Sequence, residues 1–438
     1  MGDEDNFTKP VALERDRLQV ESIHVRVVAG PDQGMSAEST AGTLTIGTAR
    51  DNDLVLTDRT VSRYHVELSP ALDRSIQVHD LGSTNGTACG PVVLEKGQVG
   101  PGAELELGRS VVRVEVGRAA AQSVAATQEL AGLRGSSPQM RKVMLEISRV
   151  AGTNASVLLR GESGTGKERA AAALHELSGR DGPIVIVDCG ALSQELVASE
   201  LFGHERGAFT GAVDRRIGAF ERADKGTLFL DEVGELPADL QAKLLGALER
   251  RVIRRLGGAS DIRVDVRVVS ATHRDLRRAV NAGEFRLDLF YRLAVVTLVL
   301  PPLRERPEDV ELYARLFADD FGSAERFERL LEGGLLERLK AHPWPGNVRE
   351  LRNVVEATLA LGRAPALDEM ELETTGNPFA HLRHLPYKRA REELLERFEA
   401  DYLPHLVERA EGNVSEAARV AGMDRSYLFR LLRKHDLR

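Results

Sequence analysis

Between residues 21 and 117, apolar and polar positions alternate in short runs, "SIHVRVV", "GTLTIG", "HVELS", "SIQVHD" and "VVRVEV", broken by Gly, Asp-Arg and Asn-Gly turns. A period of two sends one side of each strand into a core and the other into water, which predicts an all-β sandwich. Residues 118–132, "RAAAQSVAATQELAG", lose that alternation; rich in alanine and free of proline, they read as a stiff, helix-competent linker. From 133 onward, apolar runs ("SVLLR", "PIVIVD", "TLFLD", "VRVVSAT", "AVVTLVL") alternate with helical stretches such as "KERAAAALHEL" and "ADLQAKLLGALE", the pattern of a parallel α/β sheet. Residues 303–363 are mainly helical. A proline-containing linker over 364–388 leads to a last helical segment, 389–438, interrupted by Gly412 and Gly422.

Composition narrows this picture without redirecting it. With 438 residues, 42% hydrophobic and 29% charged, the chain has material for about three globular units and is not disordered overall. Cys89 and Cys189 are its two cysteines, far apart and without metal-ligand spacing, which argues against a disulfide framework or a zinc site. The first twenty residues lack an apolar signal core, and the longest apolar run, "LAVVTLVLPPL" at 293–303, is too short to span a bilayer, so the expected location is cytoplasmic. The net charge of -8 argues against nucleic acid as a partner of the chain as a whole. It hides a local exception: Arg419 to Arg438 holds six Lys/Arg against two Asp.

The first chemical signal is "VLLRGESGTGKE", where Gly161, Glu162, Ser163, Gly164, Thr165, Gly166, Lys167 and Glu168 follow a strand and open a helix. Glycines let backbone N–H groups curl around a phosphate, the helix N-terminus adds positive potential, and Lys167 neutralises the outer phosphates. Glu168 stands where the usual P-loop has Ser or Thr as a magnesium ligand. Some sixty residues on, "GTLFLDE" ends a hydrophobic strand with Asp231, suited to magnesium, and Glu232, suited to activating a water. "LFGHERGAFTGA", 201–212, is a glycine loop without the lysine that a phosphate cradle needs.

Taken together, "GESGTGKE", "SELFGHERGAFTGA", "GTLFLDE", "EFRLDLFYRL", "PPLRERPED" and "WPGNVREL" closely resemble the AAA+ domain of sigma-54-dependent transcriptional activators, or bacterial enhancer-binding proteins, over 133–363. In that family Glu168 after the lysine is common. The resemblance implies an ATPase using ATP and magnesium, with Arg349 as a second sensor on a helical lid. It makes Thr272 and His273 the sensor of the γ-phosphate, and Arg286 and Arg292 arginine fingers for a neighbouring subunit's nucleotide. It makes Gly207, Ala208, Phe209, Thr210, Gly211 and Ala212 the loop that contacts sigma-54, with Phe209 and Thr210 exposed. Asp188 in "VIVDCGAL" occupies the place where many relatives have an Asn that holds the catalytic glutamate. A carboxylate facing Glu232 there repels it unless one is protonated or a cation intervenes.

The flanks carry resemblances of their own. "LTIGTARDNDLVLTDRTVSRYHVEL" and "VHDLGSTNGT" resemble a forkhead-associated (FHA) domain, which implies phosphothreonine recognition by Ser62, Arg63, Thr84 and Asn85, with His65 a buried strut. Thr48 replaces the family's phosphate-contacting arginine, and Arg50 is the nearest substitute. "GNVSEAARVAGMDRSYLFRLLRKHDLR" resembles a Fis-type helix-turn-helix, offering Arg425, Ser426, Tyr427 and Arg430 to base edges and Arg433 and Lys434 to phosphates. The expected architecture is thus an all-β FHA sandwich, an α/β AAA+ P-loop ATPase with a helical lid, and an all-α helix-turn-helix. The expected assembly is a hexamer or heptamer that binds DNA upstream of a promoter and opens the sigma-54 RNA polymerase complex, under control of a threonine-phosphorylated protein or its kinase. Two rivals are a protein-unfolding AAA+ chaperone, which has an aromatic pore loop and no helix-turn-helix, and a regulator of the housekeeping polymerase, which often lacks an intact GAFTGA.

Overall fold

The structure, a computed structural model, describes residues 15–20, 22–39, 42–71, 75–117, 120–125, 127–191, 194–209 and 212–363, and positions 389, 391, 403, 406, 414–421, 423, 428, 429, 432 and 433. The chain divides into two compact units, Met1–Ala360 and Leu361–Arg438. Among the described residues no helix is long and apolar enough to cross a membrane.

The alternating N-terminal segment forms eleven strands: β1 (Ile23–Ala29), β2 (Ser36–Ser39), β3 (Leu44–Gly47), β4 (Leu54–Val55), β5 (Val66–Pro70), β6 (Ile76–Asp80), β7 (Thr87–Cys89), β8 (Val92–Leu94), β9 (Lys96–Val99), β10 (Glu104–Leu107) and β11 (Ser110–Val116). They make a five-stranded sheet in the order β9-β6-β5-β3-β4 and a six-stranded sheet in the order β2-β1-β11-β10-β7-β8. Every second residue points inward, so Val25, Val27, Ile46, Val66, Leu68, Val78, Leu105 and Val112 fill one core. The backbone of Gly47 passes so close to the loop before β5 that a Cβ there would lie 2.1 Å from the carbonyl oxygen of Arg63, which makes glycine obligatory.

The expected linker differs from its sequence reading. Ala120–Ala125 is a strand paired antiparallel with Arg15–Val20, and Glu129–Leu130 pairs with Leu133–Arg134. Alanine's helix preference is a weak local bias, and pairing with a second strand overrides it.

The central domain is a five-stranded parallel sheet of β12 (Val157–Arg160), β13 (Ile184–Asp188), β14 (Thr227–Asp231), β15 (Arg267–Thr272) and β16 (Val296–Val299), ordered β13-β14-β15-β12-β16. Helices α1 (Pro138–Ala151), α2 (Lys167–Glu176), α3 (Gln194–Phe202), α4 (Ala238–Arg250), α5 (Leu276–Ala282) and α6 (Leu287–Leu293) accompany it. Helix α1 starts where Ser137 accepts a hydrogen bond from the Met140 N–H and Pro138 occupies the first turn. Its Met140, Val143, Met144 and Ile147 recur at helical spacing and are buried with Leu159, Phe229 and Val269 of the sheet. The lid follows as α7 (Pro307–Asp320), α8 (Ala324–Leu330), α9 (Leu336–Ala341) and α10 (Asn347–Leu361).

Within the same unit the sandwich packs on the central domain. Tyr64 and Leu81, both fully buried, belong to the central domain's core with Phe290, Leu276 and Val280 and not to the core of the sandwich. Burying each contributes roughly 2 kcal/mol to the contact.

In the C-terminal unit, α11 (Val414–Ala421) contributes Val414 and Ala418 to a small core with Leu403, Leu406, Leu428 and Leu432.

Candidate functional site

Parallel register aligns the carboxyl ends of the central strands. Asp188 sits beside Asp231 and Arg160 beside Thr272, so the two acidic strand ends, the sensor position and the turn into the P-loop share one edge. Gly164 and Gly166 adopt left-handed φ values of 78° and 106°, which tightens the loop around the start of α2. Lys167 is buried, 7% exposed, and its Nζ donates to the carbonyls of Gly161 (2.9 Å) and Glu162 (3.2 Å) and reaches Glu232 Oε1 at 3.5 Å. A cation this well enclosed at a helix N-terminus fits the phosphate chain of a nucleotide.

Glu232 is itself held in a left-handed backbone conformation, φ 50°. Its Oε2 accepts hydrogen bonds from the backbone N–H of His273 (3.1 Å) and from Nδ1 of the same residue (2.7 Å), which carries the proton in this arrangement. Partial burial raises the Glu232 pKa, but the His273 hydrogen bonds and the Lys167 charge outweigh it and hold the carboxyl below the usual range. Asp231 goes the other way: burial and the neighbouring Glu232 charge raise it, against the pull of Lys167. Burial, and then the charges of Asp188, Asp231 and Glu232, push the Cys189 thiol up to about 12. Asp188, Asp231 and Glu232 make this edge acidic, with Lys167 against it, and Asp231 is the carboxylate that could hold a divalent cation.

Asp188 does not take the role of a residue facing Glu232. Its Oδ1 accepts from the N–H groups of Gly190 (2.8 Å) and Ala191 (3.1 Å), closing a local turn, and His273 holds the glutamate instead. Thr272 is fully buried, with its hydroxyl accepting from the Arg274 N–H at 3.0 Å.

The lid closes on the P-loop through residues that the sequence reading singled out only in part. Arg349 Nη1 donates to Ser163 Oγ at 3.0 Å. Asn347, buried and at φ 53°, donates to Glu162 Oε2 (3.1 Å) and to the Ser163 carbonyl (3.0 Å). Arg304 forms a two-pronged ion pair with Glu162 at 2.8 and 2.7 Å, which lowers the pKa of that carboxyl. Glu162 is thus committed to the lid. Arg306, fully buried, donates to the Thr165 carbonyl at 2.9 Å and lies 3.6 Å from Asp309. Asn347 and Arg304 were missed; the available signal was Asn directly after Pro-Gly, a combination that tolerates positive φ. Thr165 donates to the Glu162 carbonyl inside the loop, and Glu168 is exposed.

The two proposed fingers engage elsewhere. Arg286 occupies the N-cap position of α6 and its side chain pairs with Asp288 at 2.8 Å, while Arg292 donates to the Leu248 carbonyl at 3.1 Å. Gly207, φ 80°, opens the loop 207–212, whose base is closed by Gly207 N–H to the Ala212 carbonyl (2.8 Å) and Ala212 N–H to Phe209 (3.0 Å). Phe209 is not fully exposed as expected: it is half-buried, edge-on to the buried His204 ring at 5.0 Å. Ala208 is half-buried and Ala212 is buried. Thr210 and Gly211 lie outside the described residues.

On the sandwich, Ser62 Oγ accepts from the Thr84 N–H at 2.9 Å and Asn85 donates to the Thr60 carbonyl at 2.7 Å, which draws the two loops together. Arg50, Arg63, Thr84 and Asn85 are exposed. His65 is fully buried; its Nδ1 accepts from the Ser62 N–H (3.1 Å) and Nε2 donates to the Gly86 carbonyl (3.1 Å), the expected strut, and burial lowers its pKa. Of the residues expected to meet DNA, Arg433 is exposed on the C-terminal unit; Arg425, Ser426, Tyr427, Arg430 and Lys434 lie outside the described residues.

Comparison with known proteins follows the same division. Residues 133–299 match the sigma-54 interaction domain, 304–378 the AAA+ ATPase lid domain, and 26–116 a family described as the cytoplasmic domain of an inner membrane component of type III secretion. The chain is 45% identical over 312 residues to the transcriptional regulatory protein GlrR of Escherichia coli, covering 69% of this chain and 67% of GlrR. It is 42% identical over 308 residues to the regulatory protein AtoC of the same organism, covering 69% and 67%. Among solved structures, NtrX from Brucella abortus in complex with ATP is 34% identical with a TM-score of 0.50 over 70% of each chain.

Proposed function

Because the chain belongs to the sigma-54-dependent transcriptional regulators and is an AAA+ ATPase, we propose that it binds DNA upstream of a promoter and uses ATP hydrolysis to open the sigma-54 RNA polymerase complex. The observation that carries this reading is the convergence of Lys167, Asp231, Glu232 and the lid's Arg349 on one crevice, beside a chain that also holds an intact GAFTGA. Lys167 and the N–H groups of the P-loop bind the phosphates. Asp231 would hold magnesium, which when bound would supply charge neutralisation on the phosphates. When Lys167 turns to the phosphates, Glu232 Oε1 is freed to accept a proton from the attacking water, and Oε2 stays fixed by His273. Arg286 and Arg292 complete the site of a neighbouring copy, a hexamer or heptamer being the assembly that brings them there.

The loop 207–212 delivers the work. Its glycines permit hinging, Phe209 rests on His204, and Phe209 with Thr210 contacts sigma-54 when nucleotide state raises the loop. The positive excess between Arg419 and Arg438 and the exposed Arg433 support a DNA address at the C-terminus, with Arg425, Ser426, Tyr427 and Arg430 reading base edges and Lys434 holding phosphate. The paired loops at Ser62 and Thr84, flanked by exposed Arg50 and Arg63, support recognition of a phosphothreonine peptide. The test is Glu232→Gln, which should keep ATP binding while abolishing both turnover and promoter opening. Retained turnover would remove Glu232 as the base, and promoter opening without turnover would remove hydrolysis as the source of work.

A further inference from the structure

The loops that carry the candidate phosphopeptide site also carry the contact with the ATPase. Arg63 is exposed, and the next residue, Tyr64, is fully buried in the central domain, its ring edge-on to Phe290 at 5.7 Å with the Arg277 guanidinium over it at 5.4 Å. Across the same junction Asn281 Nδ2 donates to two sandwich carbonyls, Tyr64 at 2.6 Å and Leu81 at 3.0 Å. Asp51 accepts from the hydroxyls of Tyr64 (3.0 Å) and Tyr291 (3.2 Å). Glu67 lies 3.6 Å from both Arg160 and Arg277, and Glu95 pairs with Arg278 at 2.9 Å.

Every one of these ATPase partners belongs either to the strand that enters the P-loop, through Arg160, or to the segment Arg277–Tyr291. That segment takes in most of α6, which has Arg286 at its start and Arg292 in its last turn. Phe290 and Tyr291, gripped by the sandwich, lie between the two arginines. In this docked arrangement both guanidinium groups are turned onto their own chain, Arg286 to Asp288 and Arg292 to the Leu248 carbonyl.

We propose that the docked sandwich is a brake on the finger helix α6, and that a phosphothreonine peptide seated at Ser62 and Arg63 releases it through Tyr64. The release step rests on the phosphopeptide reading given above; the brake rests on the junction and on the assignment of Arg286 and Arg292. Peptide binding and docking act on one short loop, so a shift of the Ser62–Arg63 backbone toward a phosphate withdraws the ring one residue away. The coupling needs no long relay.

The experiment uses the full chain and changes only junction residues, three of them on the sandwich, leaving the nucleotide site intact. Tyr64→Ala removes the ring that packs outside the sandwich core, and the pair Asp51→Asn with Glu67→Gln removes the polar grip; Asn281→Ala tests the same junction from the ATPase side. Hydrogen exchange of the α6 amides and ATPase rate are measured together at protein concentrations below full assembly. The brake predicts faster α6 exchange in each variant and an ATPase rate raised by roughly tenfold for Tyr64→Ala and Asn281→Ala. Unchanged exchange, or faster exchange with an unchanged or lower rate, overturns it. A degenerate phosphothreonine peptide library should raise the wild-type rate but not that of Tyr64→Ala. A library that binds without raising the rate overturns the release step. A library that does not bind removes the phosphopeptide reading and leaves the brake to be judged on Tyr64→Ala and Asn281→Ala.

Discussion

Glu232 shows how much of a site one side chain's neighbours decide. "GTLFLDE" announces an acidic strand end, and the sequence places it after a P-loop, so the carboxylate pair was legible. Its partner was not: the family resemblance makes Asp188 a residue facing Glu232, yet its short side chain finds the N–H groups of Gly190 and Ala191 first. His273, which the resemblance makes part of the γ-phosphate sensor with Thr272, is the group that fixes the base. His273→Ala should lower kcat by about ten- to a hundredfold with little change in KM, since it frees the orientation of Glu232 and not the phosphate site. The pH profile separates this from a general loss of structure. The histidine bonds lower the Glu232 pKa, so wild-type activity falls only when pH drops through that depressed value. Losing the imidazole raises the pKa, and the acid limb of kcat must move to higher pH. A limb that stays in place would show that His273 does not act on Glu232.

At the scale of elements, alternation was a sufficient guide for the sandwich strands, which have one face to bury, and continuous apolar runs for the central strands of the parallel sheet, which are buried on both faces; α2 and α4 were legible as the helical stretches between them. The pattern failed at 120–125, where alanine has little side chain to pattern and the pairing partner lies a hundred residues upstream. The lid latch was equally hidden, since Arg304, Asn347 and Glu162 meet only after folding. Gly164 marks how tightly that latch closes: a Cβ there would lie 2.3 Å from the Gly346 carbonyl oxygen, in a left-handed conformation that costs an L-residue roughly 1–2 kcal/mol. Gly164→Ala should therefore weaken ATP binding by roughly tenfold, read as nucleotide Kd by equilibrium binding, whereas unaltered Kd would mean that the lid does not need this approach. For the loop 207–212, Thr210→Ala should leave ATP hydrolysis within about twofold of wild type and abolish promoter opening. A parallel loss of both would make the loop part of the ATPase framework.

For the whole molecule, the sequence revealed three kinds of domain but not that the first is packed on the second. Nothing in "SRYHVEL" distinguishes Tyr64 from a core residue of its own strand, because burial in a neighbour and burial at home leave the same trace in one sequence. The structure adds that contact, in which the sandwich grips Phe290 and Tyr291 between Arg286 and Arg292, the two arginines that the proposed function assigns to a neighbouring copy's site. The most direct test of the account is promoter opening by the purified chain, assayed side by side with sigma-54 polymerase and with the housekeeping polymerase, with ATP or a non-hydrolysable analogue. The account predicts stable open complexes only with sigma-54 polymerase and hydrolysable ATP. Opening with the housekeeping polymerase, or with the analogue in place of ATP, would contradict it.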